Sequence, residues 1–185
     1  MDDLATRQGL PDALRVLVKE LPRAGWESHP NFDGLTRFWL DRHLMFRDLL
    51  SRLRTGAEAR LDGRIEPAKY AHETQRYAGF LLNELHGHHR IEDHHYFPRL
   101  AALDPRIAHG FELLDADHHA LDGHLHGLAE VTNAYLGGFE AADAVTRAGD
   151  LHGALGRFET FLDRHLIDEE ELVVPVILTY APALH

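Results

Sequence analysis

His88-His89-Arg90-Ile91-Glu92, running on to Pro98, and His165-Leu166-Ile167-Asp168-Glu169, running on to Pro175, can be laid over each other with every metal-binding group in register. Each carries a His, a Glu four residues later and a Pro ten residues later. On an α-helix, four residues is a turn plus about 40° and a rise of about 6 Å, so each His and its Glu project the same way from adjacent turns. They can hold one metal centre together. A second matched pair lies upstream, where Leu40-Asp41-Arg42-His43 followed by Phe46 parallels Leu114 through His118 followed by Leu121. The order His, then His-x-x-x-Glu, therefore occurs twice. His43 precedes His88 by 45 residues and His118 precedes His165 by 47, the spacing of a duplicated helical hairpin.

The rest of the composition narrows the chemistry. A chain of 185 residues with 44% hydrophobic content suffices for one core. Nineteen basic against thirty acidic residues give a net charge of −11, which repels phosphate backbones and anionic lipid surfaces, so neither nucleic acid nor membrane is an expected partner. With no cysteine, disulfides, thiolate zinc sites and iron–sulfur clusters are excluded, and any metal must be held by nitrogen and oxygen. The start, Met1-Asp2-Asp3, leads into no apolar stretch of signal-peptide length. The longest apolar run, Leu172 to Leu178, is too short to span a bilayer, and a soluble cytoplasmic protein is expected. Sixteen histidines are the composition's outlier and demand an explanation.

Four long stretches have helical periodicity. The first is expected from about Asn31 to Arg54, stopping at Thr55-Gly56, with Phe32, Leu35, Phe38, Trp39, Phe46, Leu49, Leu50 and Leu53 on its apolar side. The second opens at Pro67 and carries Tyr70, Tyr77, Leu81, Leu85, His88, Glu92 and His95 along one stripe before Pro98. The third follows Asp104-Pro105 and ends at Gly137-Gly138; the fourth runs from about Ala141 through Leu172. No stretch longer than a few residues alternates as a strand would. The linkers are short, which suits antiparallel neighbours. The expected fold is all-α, an up-down-up-down antiparallel four-helix bundle over residues 31–180, with residues 1–30 as a short N-terminal helical arm. Leu14, Leu17, Val18 and Leu21 would form one amphipathic helix in that arm, which is expected to be decorative.

This topology makes a demand of its own. Measured from one end of the bundle, His43 is about 12 residues from Asn31, His88 10 from Pro98, His118 about 13 from Pro105 and His165 10 from Pro175. At 1.5 Å per residue these depths agree to within about a turn. Four histidines fall in one layer, each on its helix's apolar stripe. Four imidazoles and two carboxylates, Glu92 and Glu169, suit a pair of iron or manganese ions better than one structural zinc, which takes four closed tetrahedral ligands.

With this twofold His, His-x-x-x-Glu pattern and its trailing prolines, residues 31–175 resemble the hemerythrin-like, or HHE cation-binding, domains. The resemblance implies a four-helix bundle holding two non-haem irons, in preference to manganese or zinc. His43 and His88 would bind one iron, His118 and His165 the other, and Glu92 and Glu169 would bridge them; an open coordination position would meet O₂, peroxide or nitric oxide. Two positions depart from the oxygen-carrying members. Where those have a second His one turn beyond the first on the third helix, this chain has Asp122, expected to point inward as a carboxylate ligand or leave its position to solvent. Where those place the fourth-helix carboxylate five residues after its His, this chain has Glu170, with Glu169 at four. An extra carboxylate favours ferric iron, so peroxide decomposition or sensing of O₂ or nitric oxide is expected ahead of simple O₂ carriage. Iron storage, or a bundle that metal merely stabilises, stays open as the alternative, and the oligomeric state is undetermined. Of the other histidines, His89, His94, His119, His124 and His126 are expected mostly to face solvent or to support the ligands from behind, and His95 to line an access path.

Overall fold

The computed structural model describes residues 3–184; of the acidic start, Met1 and Asp2 lie outside them. Among the described residues all regular structure is helical, as the 3.6-residue periodicity requires. Near the N-terminus a short helix α1 (Val16–Glu20) stands between the 3₁₀ turns Asp12–Leu14 and Arg23–Gly25. Then come α2 (Gly34–Leu61) and α3 (Pro67–Ile91), the latter passing through a π-helical turn (Glu92–Tyr96) into α4 (Phe97–Ala101). Two more helices, α5 (Ala108–Leu136) and α6 (Ala144–Tyr180), complete the chain. No helix among the described residues is long and apolar enough to cross a membrane.

The element boundaries depart from the sequence expectations in three places. Helix α2 starts where the Asp33 carboxylate accepts the Thr36 amide at 2.7 Å, a side-chain cap. It then runs through Thr55-Gly56 and stops before Gly63, whose φ of 68° only glycine adopts freely. Gly56 serves packing instead: a Cβ there would lie 3.0 Å from Cε2 of Tyr70. The trailing prolines also fail to end their helices. Ahead of Pro98 the chain widens into the π turn, in which the Phe97 amide donates to the Glu92 carbonyl five residues back. Burial follows the wider turn, passing from Glu92 to Phe97 and Leu100 and leaving His95 exposed. His95 is thus turned away from the stripe it was expected to share with His88. Pro175 sits inside α6, where buried Val173, Val174, Val176 and Ile177 offset the lost backbone hydrogen bond.

The chain divides into two compact units, and each long helix contributes to both. One unit comprises residues 1–43, 88–120 and 163–185. Its core joins Leu10, Leu14, Leu17, Val18 and Trp26 to Trp39, Phe97, Phe111, Leu114, Leu172, Val174 and Leu178. The N-terminal arm is therefore part of this core and not decoration. The other unit, residues 44–87 and 121–162, buries Leu50, Leu53, Leu81, Leu85, Leu128, Leu151, Leu155 and Phe158. Tyr70 and Tyr135 pack there with ring centroids 5.1 Å apart.

Candidate metal centre

All four histidines predicted from the paired motifs fall within the first unit, one each from α2 (His43), α3 (His88), α5 (His118) and α6 (His165). They form two pairs. His43 Nε2 lies 3.1 Å from His88 Nε2, and His118 Nε2 lies 3.1 Å from His165 Nε2. Two imidazoles bound at about 2.1 Å and about 90° to one cation have their nitrogens about 3.0 Å apart, so both pairs have the spacing of adjacent ligands. The opposite ring nitrogens are tied outward. His43 Nδ1 meets Glu170 Oε1 at 2.9 Å, His118 Nδ1 meets Asp93 Oδ1 at 2.6 Å and His165 Nδ1 meets Asp117 Oδ2 at 3.3 Å. A carboxylate at Nδ1 holds the proton there and leaves the Nε2 lone pair facing inward. Burial lowers the pKa of His43, and takes that of His165 down to about 4 against the opposing bond to Asp117. Both rings are therefore neutral near pH 7, the state in which imidazole binds metal.

The two predicted glutamates each span both pairs. Glu92 Oε1 lies 2.9 Å from His88 Nε2 and its Oε2 lies 3.7 Å from His118 Nε2. Glu169 Oε1 lies 3.7 Å from His43 Nε2 and its Oε2 lies 3.2 Å from His165 Nε2. Both side chains are buried, and no lysine or arginine among the described residues pairs with either. Glu92 Oε2 and both Glu169 oxygens have no hydrogen-bond partner. Burial and the neighbouring Glu92 carboxylate push the Glu169 carboxyl well above the usual range; burial also opposes ionisation of Glu92, but His88, Glu169 and His118 together more than offset it and hold Glu92 low. Two facing carboxylates without a buried cation are costly. The donor set fits a cation, and orphaned oxygens and inward lone pairs are what a metal would satisfy.

Ligating atoms of His43, His88, Glu92 and Glu169 lie within 4.8 Å of one another, and so do those of His89, His118 and His165. His89 corrects the sequence expectation. Its side chain is buried and stacks on His118 with centroids 4.0 Å apart, and neither ring nitrogen has a hydrogen-bond partner. A core-facing helical stripe is at least about 100° wide, so two consecutive residues can sit at its two edges. Asp122 corrects it in the other direction. It belongs to the second unit, its side chain is 56% exposed, and it lies 3.9 Å from His86, so it does not point inward. Glu170, the other ambiguous carboxylate, is outside both groups and sits on His43 Nδ1. His94, His119, His124 and His126 are exposed, as their offset from the stripe predicts.

Sequence reasoning missed the groups behind these residues. Trp39 Nε1 donates to Glu92 Oε1 at 2.7 Å, and its indole lies 4.3 Å from the His43 ring. Asp93, Asp117 and Glu170 hold the Nδ1 atoms, and Arg7 and Arg23 reach Asp117 and Glu170 from the N-terminal segment. Trp39 stands four residues before His43 on α2, a local spacing, whereas Asp93, Asp117 and Glu170 reach their histidines from other helices and carry no such signal. No curated protein and no solved structure matches the chain. A family model described as the hemerythrin HHE cation-binding domain matches residues 34–177, a stretch that contains every histidine and glutamate of the two groups. The chain belongs to the hemerythrin HHE cation-binding family.

Proposed function

We propose that this domain is an up-down-up-down four-helix bundle holding two non-haem irons that react with O₂, peroxide or nitric oxide. Contacts in opposite sequence order support the topology. Tyr70 meets Tyr135 while His86 meets Asp122 between α3 and α5, and Arg54 meets Glu159 while Glu58 meets His152 between α2 and α6. His43 and His88 would hold one ion, and His118, His165 and His89 the other, with Glu92 and Glu169 shared between them. The observation that carries this reading is that each glutamate directs one oxygen to each histidine pair, as a bridge between two ions requires.

Bound iron would supply one-electron chemistry and an open coordination position for a small oxidant. The chain's own residues do the rest. Asp93, Asp117 and Glu170 hold the Nδ1 protons and orient the rings; the Trp39 indole donates to Glu92 and fixes its plane; buried Leu114, Phe97 and Leu172 exclude bulk water from the unit that holds the site. A second reading, reversible O₂ binding, is favoured by His89, because a third imidazole removes the carboxylate-rich character that Asp122 was expected to give. Metal analysis of protein from iron-replete cells, with absorption spectra under oxidising conditions, tests the centre. Two irons per chain with charge-transfer bands are expected; one zinc and no such bands would defeat it. Stopped-flow mixing of the reduced protein with O₂, beside a peroxide-decomposition assay, then separates the readings: rapid oxidation with peroxide turnover supports oxidant handling, and a persistent, reversible adduct supports carriage.

A further inference from the structure

The N-terminal segment reaches the outer side of the centre at two places, and both have the same build. Arg7, buried, donates from Nη1 to Asp117 Oδ1 at 3.1 Å, from Nη2 to Asp117 Oδ2, and from Nε to Asp168 Oδ2 at 2.8 Å. Asp117 Oδ2 in turn meets His165 Nδ1. Arg23 Nη2 pairs with Glu170 Oε2 at 2.7 Å, and Glu170 Oε1 meets His43 Nδ1. Each chain runs arginine, carboxylate, Nδ1, and each ends on a different histidine pair. Both arginines lie before the stretch that matches the family, residues 34–177.

The Arg7 fork fixes the plane of the Asp117 carboxylate and the single Arg23 contact anchors one oxygen of Glu170, so the ring behind each is held in one tautomer and one orientation. Packing holds the arginines in turn, because Leu10, Leu14, Leu17 and Trp26 insert into the same core as Phe111, Leu172 and Val174. We propose that Arg7 and Arg23 are positioning residues of the metal centre, one for each ion, through which the N-terminal segment sets metal affinity and ligand geometry. The proposal rests on the two-ion reading above.

Cobalt(II) is a suitable probe, since its visible bands report ligand geometry at saturation independently of affinity, and competition with a chelator gives the dissociation constants. In the full chain, Arg23→Gln and Arg7→Lys are expected to weaken one cobalt site by about 10- to 100-fold and to shift the saturated spectrum, as loss of partners to metal-bound histidines generally does. Arg23→Lys, which keeps the charge at a half-exposed position, should recover part of both effects. Leu155→Ala removes a buried side chain outside the core that holds the segment, so it should lower the melting temperature and leave the saturated spectrum unchanged. If Arg7→Lys fails to fold, Arg23→Gln still decides, because its side chain is 52% exposed. Dissociation constants within about twofold and an unchanged spectrum in both arginine variants would overturn the proposal, as would Leu155→Ala reproducing their spectral shift. Failure of the unmodified protein to bind cobalt would instead overturn the two-ion reading beneath it.

Discussion

His88 and His89 are adjacent, yet both face the interior, and the difference between them lies in what they meet. His88 joins His43 and Glu92, whereas His89 stacks on His118 with both nitrogens unpartnered. His88→Ala, His89→Ala and His118→Ala are each expected to lower iron content, while His119→Ala, at an exposed position, should leave it unchanged; metal analysis of the four variants checks this. Asp104 supplies a residue-scale prediction independent of metal. Its carboxylate accepts the Arg106 amide and guanidinium and the Tyr180 hydroxyl, the last at 2.8 Å. Arg106 is the largest cause of its depressed pKa, down to about 2, with burial opposing and Tyr180 assisting. A depressed carboxyl adds stability above its unfolded pKa of about 3.8 and loses it as pH falls through about 2. Asp104→Asn should therefore cost about 1 kcal/mol near pH 7, reduced from the full linkage value because Arg106 is half exposed, and the difference should vanish as pH falls from about 4 to 2. Chemical denaturation across that range measures it.

At the scale of elements, the prolines and glycines act through their neighbours. Pro98 reads as a helix end, but the π turn before it lets the chain stay helical while turning His95 out and Phe97 in. Gly56 reads as a helix end as well, whereas it is the point where α2 yields to the Tyr70 ring. Gly56→Ala gains about 1 kcal/mol of helix propensity but forces a buried ring aside, at a cost of about 1–3 kcal/mol, so net destabilisation of about 1 kcal/mol is expected. Gly79, exposed in the interior of α3 with nothing near its Cβ position, is the control. Gly79→Ala should stabilise by about 0.5–1 kcal/mol. Thermal melts of the two variants, with opposite signs of shift, check the assignment.

For the whole molecule, the proposed ions would be part of the charge balance of the fold. Glu92 and Glu169 are buried without an arginine or lysine among the described residues, so a chelated protein must bury them against each other. Chelation should lower the melting temperature by several degrees, since a change of about 1 kcal/mol moves a domain of this size by about 2–4 °C. Glu169→Gln makes the argument sharper because its two effects oppose. It should lower iron content by removing the proposed bridge, yet raise the stability of the metal-free protein by roughly 1–4 kcal/mol by removing a buried carboxyl that the fold must hold protonated above its ordinary range. Calorimetry of both forms with and without chelator tests the pair of signs.

The all-helical class and the two His-x-x-x-Glu pairs were legible in the sequence because they are local: helical periodicity and a four-residue spacing are properties of one element at a time. The absence of cysteine likewise restricted the donors to nitrogen and oxygen before any folding. The facing of His89 was not legible, since a stripe of about 100° admits either of two neighbours and only packing against His118 selects it. Asp122 failed for the complementary reason: periodicity placed it one turn from His118, but its exposure is set by what packs around that turn. The arginine supports were invisible because a buried guanidinium finds its carboxylates 110 and 161 residues away. Spacing within a helix is written into the chain, whereas partners brought together from separate elements exist only once the core that joins those elements has formed.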